Sequence, residues 1–153
     1  MNVTVASRTY SITRASLWDI LAIQRLERAA FPRDAYDLLA LFEVLFTPRH
    51  RNLKAVVGEQ IVGFVAGELK LSEQTGWIVT LVVHPDMQGR GIGAGLLHAA
   101  EQMLNQAVLK LTVRRSNARA IALYERMGYR FKHAIYRYYN DGEDGLLMEK
   151  TLR

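Results

Sequence analysis

The sequence predicts a mixed α/β fold, in which one central sheet of six or seven strands carries helices on both faces. Short apolar segments typical of strands alternate along the chain with amphipathic segments of helical period. A strand–helix–strand unit between Trp77 and Val113 predicts a local parallel pair. Short turns between other strands predict antiparallel pairs. The length of 153 residues fits one domain, which we expect to cover residues 1–153.

The first half of the chain predicts two helices among strands. A helical pattern starts at Ser16 and stops at Phe31-Pro32, because proline disfavours helical backbone in the residue before it. A second short helix is predicted to open at Asp34 and to close at Pro48. Gly58-Glu59 predicts a hairpin turn. The predicted strands of this half are Arg8–Arg14, Leu53–Val57 and Ile61–Leu71.

The second half of the chain alternates strands and helices. The unbroken apolar segment Trp77–Val83 predicts a strand that is buried on both faces. One helix begins at Ile92, and another follows a cap at Ser116 or Asn117 and ends at Gly128. The remaining predicted strands are Leu109–Val113, Tyr129–Tyr139 and Leu146–Leu152. The complete predicted order is β-α-α-β-β-β-α-β-α-β-β.

The composition is that of a globular protein, with 50% hydrophobic and 23% charged residues. The chain contains no cysteine, which excludes disulfides, thiolate metal sites and cysteine nucleophiles. The N-terminal residues lack the pattern of a signal peptide, and no apolar run approaches the ~20 residues of a membrane span. We therefore expect a cytoplasmic protein with no membrane partner and no metal.

Positive charge is concentrated in residues 110–137, which hold eight basic residues and one acid. Such a region suits a polyphosphate ligand or an acidic macromolecule. A solvated surface without a partner is the alternative interpretation.

A glycine-rich segment, residues 88–95, follows the apolar strand and opens a helix. Glycines at a helix start let a phosphate oxygen approach backbone N–H groups that have no partner within the helix. A P-loop is excluded because no Gly-Lys-Ser or Gly-Lys-Thr is present. A dinucleotide fold fits poorly, because the next strand has no acid at its end. A purely structural turn remains an alternative on this segment alone.

The spacing Gln88-x-x-Gly91-x-Gly93 resembles the Q/R-x-x-G-x-G/A signature of the GNAT superfamily of N-acetyltransferases. Residues 111–125 resemble the fifth strand and following helix of that family. Within it, the chain is similar to N-terminal protein acetyltransferases, including the ribosomal-protein alanine acetyltransferases of bacteria. Tyr138–Gly145 and Leu26–Pro32 carry this second similarity. The resemblance spans roughly residues 8–152.

The resemblance implies an acetyl-CoA-dependent N-acetyltransferase, in which an amine attacks the thioester directly. The implied acceptor is the α-amine of a protein or peptide N-terminus, including that of a ribosomal protein, and we expect no nucleic acid partner. A GNAT enzyme acting on a small-molecule amine is one alternative. A non-catalytic acetyl-CoA-binding module, or a protein associated with the ribosome or with nucleic acid, is another.

The resemblance also assigns roles to individual residues. Tyr124 matches the tyrosine that serves as general acid, and it is also expected to contact the cofactor. Glu27, Phe31, Tyr138 and Tyr139 are expected to bind the acceptor. The remaining expected acetyl-CoA contacts are Leu81, Val82, Val83, Gln88, Gly89, Arg90, Gly91, Ile92, Gly93, Ala94 and Asn117.

Thr112 departs from the related enzymes, which often carry glutamate or histidine at this position to accept the amine proton. Threonine cannot act as that base. The base is therefore missing, replaced by water, or moved to another residue, for which Glu27, Glu68, His84 and the Glu143-Asp144 pair are the candidates. An α-amine has a pKa of roughly 7.7–8.0, so its deprotonation at pH 7 costs about 1.3 kcal/mol, against about 4.6 kcal/mol for a lysine amine. A site without an obvious base therefore favours α-amines or other weakly basic amines.

Overall fold

One eight-stranded sheet runs through the computed structural model, which describes residues 2–5 and 8–152. The strands are β1 Asn2–Val5, β2 Arg8–Arg14, β3 His50–Val57, β4 Gln60–Lys70, β5 Thr75–Val83, β6 Val108–Arg114, β7 Arg130–Ile135 and β8 Gly145–Thr151. The α-helices are α1 Ile20–Ala30, α2 Leu38–Phe46, α3 Ile92–Leu104 and α4 Ala118–Arg126.

The strands lie in the order β1-β2-β3-β4-β5-β6-β8-β7. Only β5 and β6 run parallel, and all other neighbours are antiparallel. This arrangement confirms the mixed sheet and the order of elements predicted from the sequence. The eighth strand is β1, which pairs with β2 and lies before the predicted order begins.

Several predicted boundaries differ from the structure, and two of these differences have a local physical cause. Helix α2 begins at Leu38 rather than at Asp34, because Asp37 is its N-cap and accepts a 2.8 Å hydrogen bond from the backbone N–H of Ala40. Strand β7 ends at Ile135 rather than at Tyr139. Arg137 has a φ of +50°, in the left-handed region, which a strand does not accommodate.

The helices bury apolar side chains against both faces of the sheet. Helix α3 covers one face with Leu96, Leu97 and Leu104. Helices α1 and α2 cover the other face, where Ile23 and Leu41 pack with residues of β4 and β5. This confirms helices on both faces. In the described part of the chain, no helix has the length and apolar character needed to span a membrane.

Strands β5 and β6 pair only at their beginnings. Their parallel register ends at Trp77 and Lys110, although β5 continues to Val83 and β6 continues to Arg114. The two strands therefore separate, and a gap opens through the sheet between their carboxyl ends. Because of this gap, the strand predicted to be buried on both faces is only half-buried at several positions.

A β-bulge between β4 and β5 changes the direction of the side chains beside this gap. The register of β4 against β5 shifts between Ala66 and Gly67, so Val79 has no direct partner across the pair. Beyond the bulge, the Thr80 hydroxyl reaches Glu27 of helix α1. The bulge thus brings β5 into contact with the helix above it at the edge of the gap.

Candidate active site

The gap widens into a cleft of about 1520 Å³. The lining comes from α1, the α1–α2 loop, the start of α2, the end of β4, β5, β6, the loop before α3, the first turn of α3, α4, and the β7–β8 loop. Helices α3 and α4 border one side, and the α1–α2 and β7–β8 loops border the other. We call these the donor wall and the acceptor wall.

The donor wall is built mainly from backbone. Gln88 donates a hydrogen bond of 3.1 Å from Nε2 to the Val83 carbonyl, which ties the glycine-rich loop to the end of β5. Gly89 and Gly91 have φ values of +76° and +85°, which only glycine adopts without strain. Gly91 is the N-cap of α3, so the first N–H groups of that helix follow it directly. The loop therefore offers backbone donors and the positive end of a helix dipole to an anion.

The start of α4 completes the donor wall. Asn117 is the N-cap of this helix, and its Oδ1 accepts a 3.2 Å hydrogen bond from the backbone N–H of Ala120. Arg119 lies in the first turn, and a β-carbon added to Gly89 would lie 3.1 Å from its Nη2. Sequence reasoning counted Arg119 only as part of the basic segment. Its position beside the glycine loop makes it a cation available to a phosphate.

The structure separates the predicted donor contacts into two groups. Val82 is buried in the core beneath α1 and α2, Ile92 at the start of α3 is buried in the core on the other face, and the side chain of Arg90 is exposed in the loop. None of these three residues lines the cleft. The other predicted residues line it: Leu81, Val83, Gln88, Gly89, Gly91, Gly93, Ala94, Asn117 and Tyr124.

Tyr124 lies in the floor of the cleft with 8% of its surface exposed. Burial raises its pKa to about 12, so the phenol is protonated at neutral pH. Its ring packs edge-on against Tyr129, with the centroids 5.9 Å apart. The Tyr129 hydroxyl donates to Glu101 at 2.9 Å, whereas the Tyr124 hydroxyl has no hydrogen bond to any residue the structure describes. Tyr124 can therefore donate to a bound molecule.

Glu27 is a carboxylate buried in the acceptor wall, with only 1% of its surface exposed. Its Oε1 accepts a 3.1 Å hydrogen bond from the Thr80 hydroxyl, and Oε2 has no hydrogen-bond partner within residues 8–152. Desolvation raises its pKa to about 7, although the Thr80 hydrogen bond opposes this rise. Glu27 is therefore poised to exchange a proton near neutral pH.

Two other base candidates are engaged elsewhere. Glu68 lines the cleft, but its carboxylate forms an ion pair with Arg49 at 3.7 Å and lies 3.5 Å from Nε2 of His50. His84 accepts a 3.1 Å hydrogen bond at Nδ1 from the Asp86 backbone N–H, and it lines a separate groove of about 500 Å³. Neither residue is placed as favourably as Glu27 to accept a proton in the gap.

Arg114 links the two loops of the acceptor wall. Its guanidinium bonds Asp34 at 2.5 and 2.8 Å, Asp141 at 2.9 and 3.1 Å, and Glu143 at 2.6 Å, and it lies 4.3 Å from the ring centre of Tyr139. These carboxylates raise the pKa of Arg114. We call Arg114, Asp34, Asp141 and Glu143 the Arg114 cluster. It fixes the α1–α2 loop to the β7–β8 loop.

The two remaining base candidates, Glu143 and Asp144, are both engaged in ion pairs. Glu143 accepts from Arg114 and, at 2.7 Å, from the Ser116 backbone N–H, and these bonds hold its pKa below the usual range. Asp144 pairs with Arg115 at 3.3 Å. The basic segment predicted at 110–137 is thus partly neutralised by acids from outside it.

Aromatic side chains line the acceptor wall beside this cluster. Phe31, Tyr138 and Tyr139 all border the cleft, where the two tyrosine rings meet edge to face at 4.9 Å. Tyr36, which sequence reasoning missed, lies among them, and burial raises its pKa to about 12. Its position five residues after Phe31, in the loop between two helices, could have indicated from the sequence that Tyr36 borders the acceptor site.

Thr112 lines the cleft on β6, in register with Leu147 of β8. A β-carbon on Gly145 would lie 2.7 Å from its methyl group, so the threonine packs closely against that strand. The structure brings Thr112, Glu27 and Tyr124 to the same cleft, and of these three only Glu27 can serve as a base.

The chain matches the family model described as the acetyltransferase (GNAT) family over residues 16–129. It is 34% identical to an uncharacterized N-acetyltransferase of Methanocaldococcus jannaschii, over 91% of this chain and 90% of that protein. It is 32% identical to the catalytic subunit of the N-terminal acetyltransferase A complex of Arabidopsis thaliana, over 93% of this chain and 78% of that protein.

Among solved structures, the ribosomal-protein-S18-alanine N-acetyltransferase of Escherichia coli superposes with a TM-score of 0.85 at 27% identity. The match covers 94% of both chains. An N-acetyltransferase of Thermoplasma acidophilum, solved in complex with coenzyme A, superposes with a TM-score of 0.78 at 17% identity and supports the fold.

Proposed function

Because the chain belongs to the acetyltransferase (GNAT) family, it is an acyltransferase that moves an acetyl group to an amine, and we propose that the amine is the α-amino group of a protein or peptide N-terminus. Acetyl-CoA is the acetyl donor. The observation that carries the proposal is the buried Glu27 carboxylate, which has one free oxygen in the same cleft as Tyr124 and the glycine loop.

The donor wall suits coenzyme A. The backbone N–H groups after Gly91, together with Arg119, provide the donors and the positive charge that a pyrophosphate requires. A β-carbon on Gly91 would meet no protein atom within 4 Å, so the space above it is open to a ligand. The gap between β5 and β6 then leads from this loop to Tyr124 and Glu27.

Glu27 is proposed to take the proton from the attacking amine. Its pKa of about 7 lies close to the roughly 7.7–8.0 of an α-amine, so the proton transfer is nearly balanced. A lysine amine with a pKa of ~10.4 would oppose the same transfer by about 4–5 kcal/mol. The carboxylate is thus matched to an α-amine.

Tyr124 is proposed to act on the leaving group. The amine nitrogen bonds to the thioester carbon, the carbon–sulfur bond breaks, and the sulfur leaves with the electron pair. The phenol donates a hydrogen bond to that sulfur. Complete transfer to a thiolate with a pKa near that of cysteine, ~8.5, would be uphill by about 5 kcal/mol. Hydrogen bonding to the departing sulfur, with protonation completed afterwards, is therefore the role this tyrosine fits best.

The named relatives support an N-terminal acceptor. One is described as an N-terminal acetyltransferase subunit and another as acting on the alanine of a ribosomal protein. The loops joined by the Arg114 cluster wall the cleft on the side of Glu27 and suit the end of a chain. A ribosomal protein is one acceptor of this kind.

The proposal is tested by acetyl-CoA turnover on three sets of acceptors: peptides with a free N-terminus, N-blocked peptides that contain lysine, and small polyamines. We expect the free N-terminus to react fastest. A clear preference for lysine or for polyamines would contradict the proposal and would favour a different amine acceptor.

A further inference from the structure

We propose that the cleft extends into a subsite for an acidic side chain of the acceptor, formed by Lys70, Trp77 and Lys110. We call these three residues the lysine–tryptophan patch. The proposal rests on the proposed function, because it assigns a preference to the peptide acceptor. Lys70 and Trp77 line the same cleft as Glu27.

The patch gathers hydrogen-bond donors around one indole ring. The Nζ atoms of Lys70 and Lys110 lie 5.1 and 5.9 Å from the centre of the Trp77 ring. The Nε1 atom of Trp77 is buried and has no hydrogen-bond partner in the described part of the chain. The two ammonium groups are both hydrogen-bond donors with a positive charge, so an anion is the group that would complement them.

The nearest carboxylate along the sheet is Glu68, which lines the same cleft as Lys70 and Trp77. Glu68 lies opposite Trp77 in the register of β4 and β5. It is already paired with His50 at 3.5 Å and with Arg49 at 3.7 Å, on the side of β3. Glu68 therefore contacts Arg49 and His50 and forms no ion pair with Lys70 or Lys110.

Neither lysine has an ion pair with the side chains that the structure describes. Glu149 lies opposite Lys110 in the register of β6 and β8, yet the two do not form an ion pair. Lys70 is exposed, and Lys110 is half-buried. The patch thus presents two unpaired positive charges and an apolar ring at the edge of the acceptor cleft.

The spacing along β5 sets which acceptor residue would reach the patch. Thr80 holds the proposed base Glu27, and Trp77 lies three residues earlier on the same strand. That separation is roughly 10 Å at the rise of a β-strand. An extended peptide advances about 3.3–3.6 Å per residue, so its third or fourth residue would lie at the patch when its α-amine is at Glu27.

The test uses peptides with a free N-terminal alanine that differ only at residue 3 or residue 4, where glutamate, glutamine or lysine is placed. We expect the glutamate peptide to have the highest kcat/KM, by about fivefold over glutamine, through a lower KM. In the Lys70→Glu/Lys110→Glu double variant, the order should reverse, with the lysine peptide preferred over glutamate. Lys70→Gln alone should reduce the glutamate preference.

Lys132→Glu is the matched control, since it changes an exposed lysine of β7 that does not line the cleft, and it should keep the glutamate preference. Equal kcat/KM for the three peptides in the unmodified enzyme, with turnover of the glutamine peptide, would overturn the subsite and leave the proposed function standing. No turnover of any free N-terminus would overturn both.

Discussion

The two walls of the cleft differ in the groups that they offer to a ligand: backbone groups in the donor wall and side chains in the acceptor wall. The donor wall is formed mainly by a short stretch of chain, from Val83 to Ala94, which the start of α4 completes, and it offers backbone groups held by two glycines of positive φ. The acceptor wall rests on side chains that are far apart in sequence. Its contacts join Arg114 to Asp34, 80 residues away, and Arg33 to Asp141, 108 residues away.

This difference separates recognition of the acetyl donor from recognition of the acceptor. Backbone donors recognise a pyrophosphate whatever the acceptor is. Side chains such as Glu27 and the tyrosines set the acceptor's charge and shape. Substitutions in the two walls should therefore alter different kinetic constants.

The largest effect is expected for Glu27→Gln, which keeps the size of the side chain but removes the proposed base. We expect kcat/KM to fall on the order of 100-fold or more at pH 8. In the unmodified enzyme the carboxylate must be deprotonated, so activity should rise with pH through about 7, and in the variant only the rise that follows deprotonation of the α-amine itself, at roughly 7.7–8.0, should remain. Steady-state kinetics from pH 5 to 9 would measure both changes.

Glu59→Gln, in the exposed β3–β4 turn, is the control and should behave like the unmodified enzyme. An unchanged pH profile in Glu27→Gln would remove Glu27 from the reaction and would leave the acceptor wall without a base.

The same substitution should also raise stability. Because burial raises the pKa of Glu27 from 4.5 to about 7, the folded chain disfavours the charged carboxylate. The resulting destabilisation is absent below pH ~4.5 and complete above pH ~7, where it reaches about 3 kcal/mol. Glu27→Gln should therefore unfold at a higher temperature at pH 8 and show little change at pH 4, as thermal denaturation would show. A lower Tm at pH 8 would contradict the assigned burial cost.

The next effect is expected for Tyr124→Phe. We expect kcat to fall by about 100-fold with little loss of stability, since the hydroxyl has no hydrogen bond to the described residues. Tyr129→Phe should do the opposite: it breaks the bond to the buried Glu101, so it should cost about 1–3 kcal/mol of unfolding free energy and retain turnover. Full activity in Tyr124→Phe would reject the proposed role at the leaving sulfur.

A smaller effect is expected for Arg114→Lys. A lysine cannot hold three carboxylates with a planar fork, so the two acceptor loops should loosen. The KM for peptide should rise by about tenfold, and the KM for acetyl-CoA should stay constant. Arg115→Lys, which changes a single exposed contact with Asp144, is the matched control. If Arg114→Lys changed only the KM for acetyl-CoA, the proposed division into a donor wall and an acceptor wall would be contradicted.

The smallest effect is expected for Gly91→Ala. Its added methyl group lies in the open space of the donor wall, so the KM for acetyl-CoA should rise by about three- to tenfold, while the KM for peptide stays constant. Gly58→Ala is a close control, since Gly58 also has a positive φ, +61°, and open space around it, but lies in a turn away from the cleft. Both should lose about 1–2 kcal/mol of stability, and only Gly91→Ala should alter acetyl-CoA binding.

The sequence predicted the donor wall well, because its signal is local. Glycines at fixed offsets after an apolar strand indicate a helix start that can hold an anion, and the helix does begin at Ile92. The order of helices and strands along the chain was predictable for the same reason, since periodicity and turns are local features. The gap between β5 and β6 was not, because it depends on where pairing stops.

The acceptor wall was only partly predictable. Phe31, Tyr138 and Tyr139 were named from the family resemblance. The rank of Glu27 above the other acids depended on burial, which its neighbours in sequence do not encode. Asp34 was taken for a helix start, and its actual contact with Arg114 becomes visible only when two distant loops meet.

The proposed α-amine acceptor is tested most directly by a peptide that carries both a free α-amine and a lysine. After incubation with acetyl-CoA and the enzyme at pH 7, fragmentation mass spectrometry would locate the acetyl group. We expect the acetyl group on the α-nitrogen, with the lysine unmodified. An acetyl group on the lysine, or a peptide left unmodified while other amines are acetylated, would contradict it.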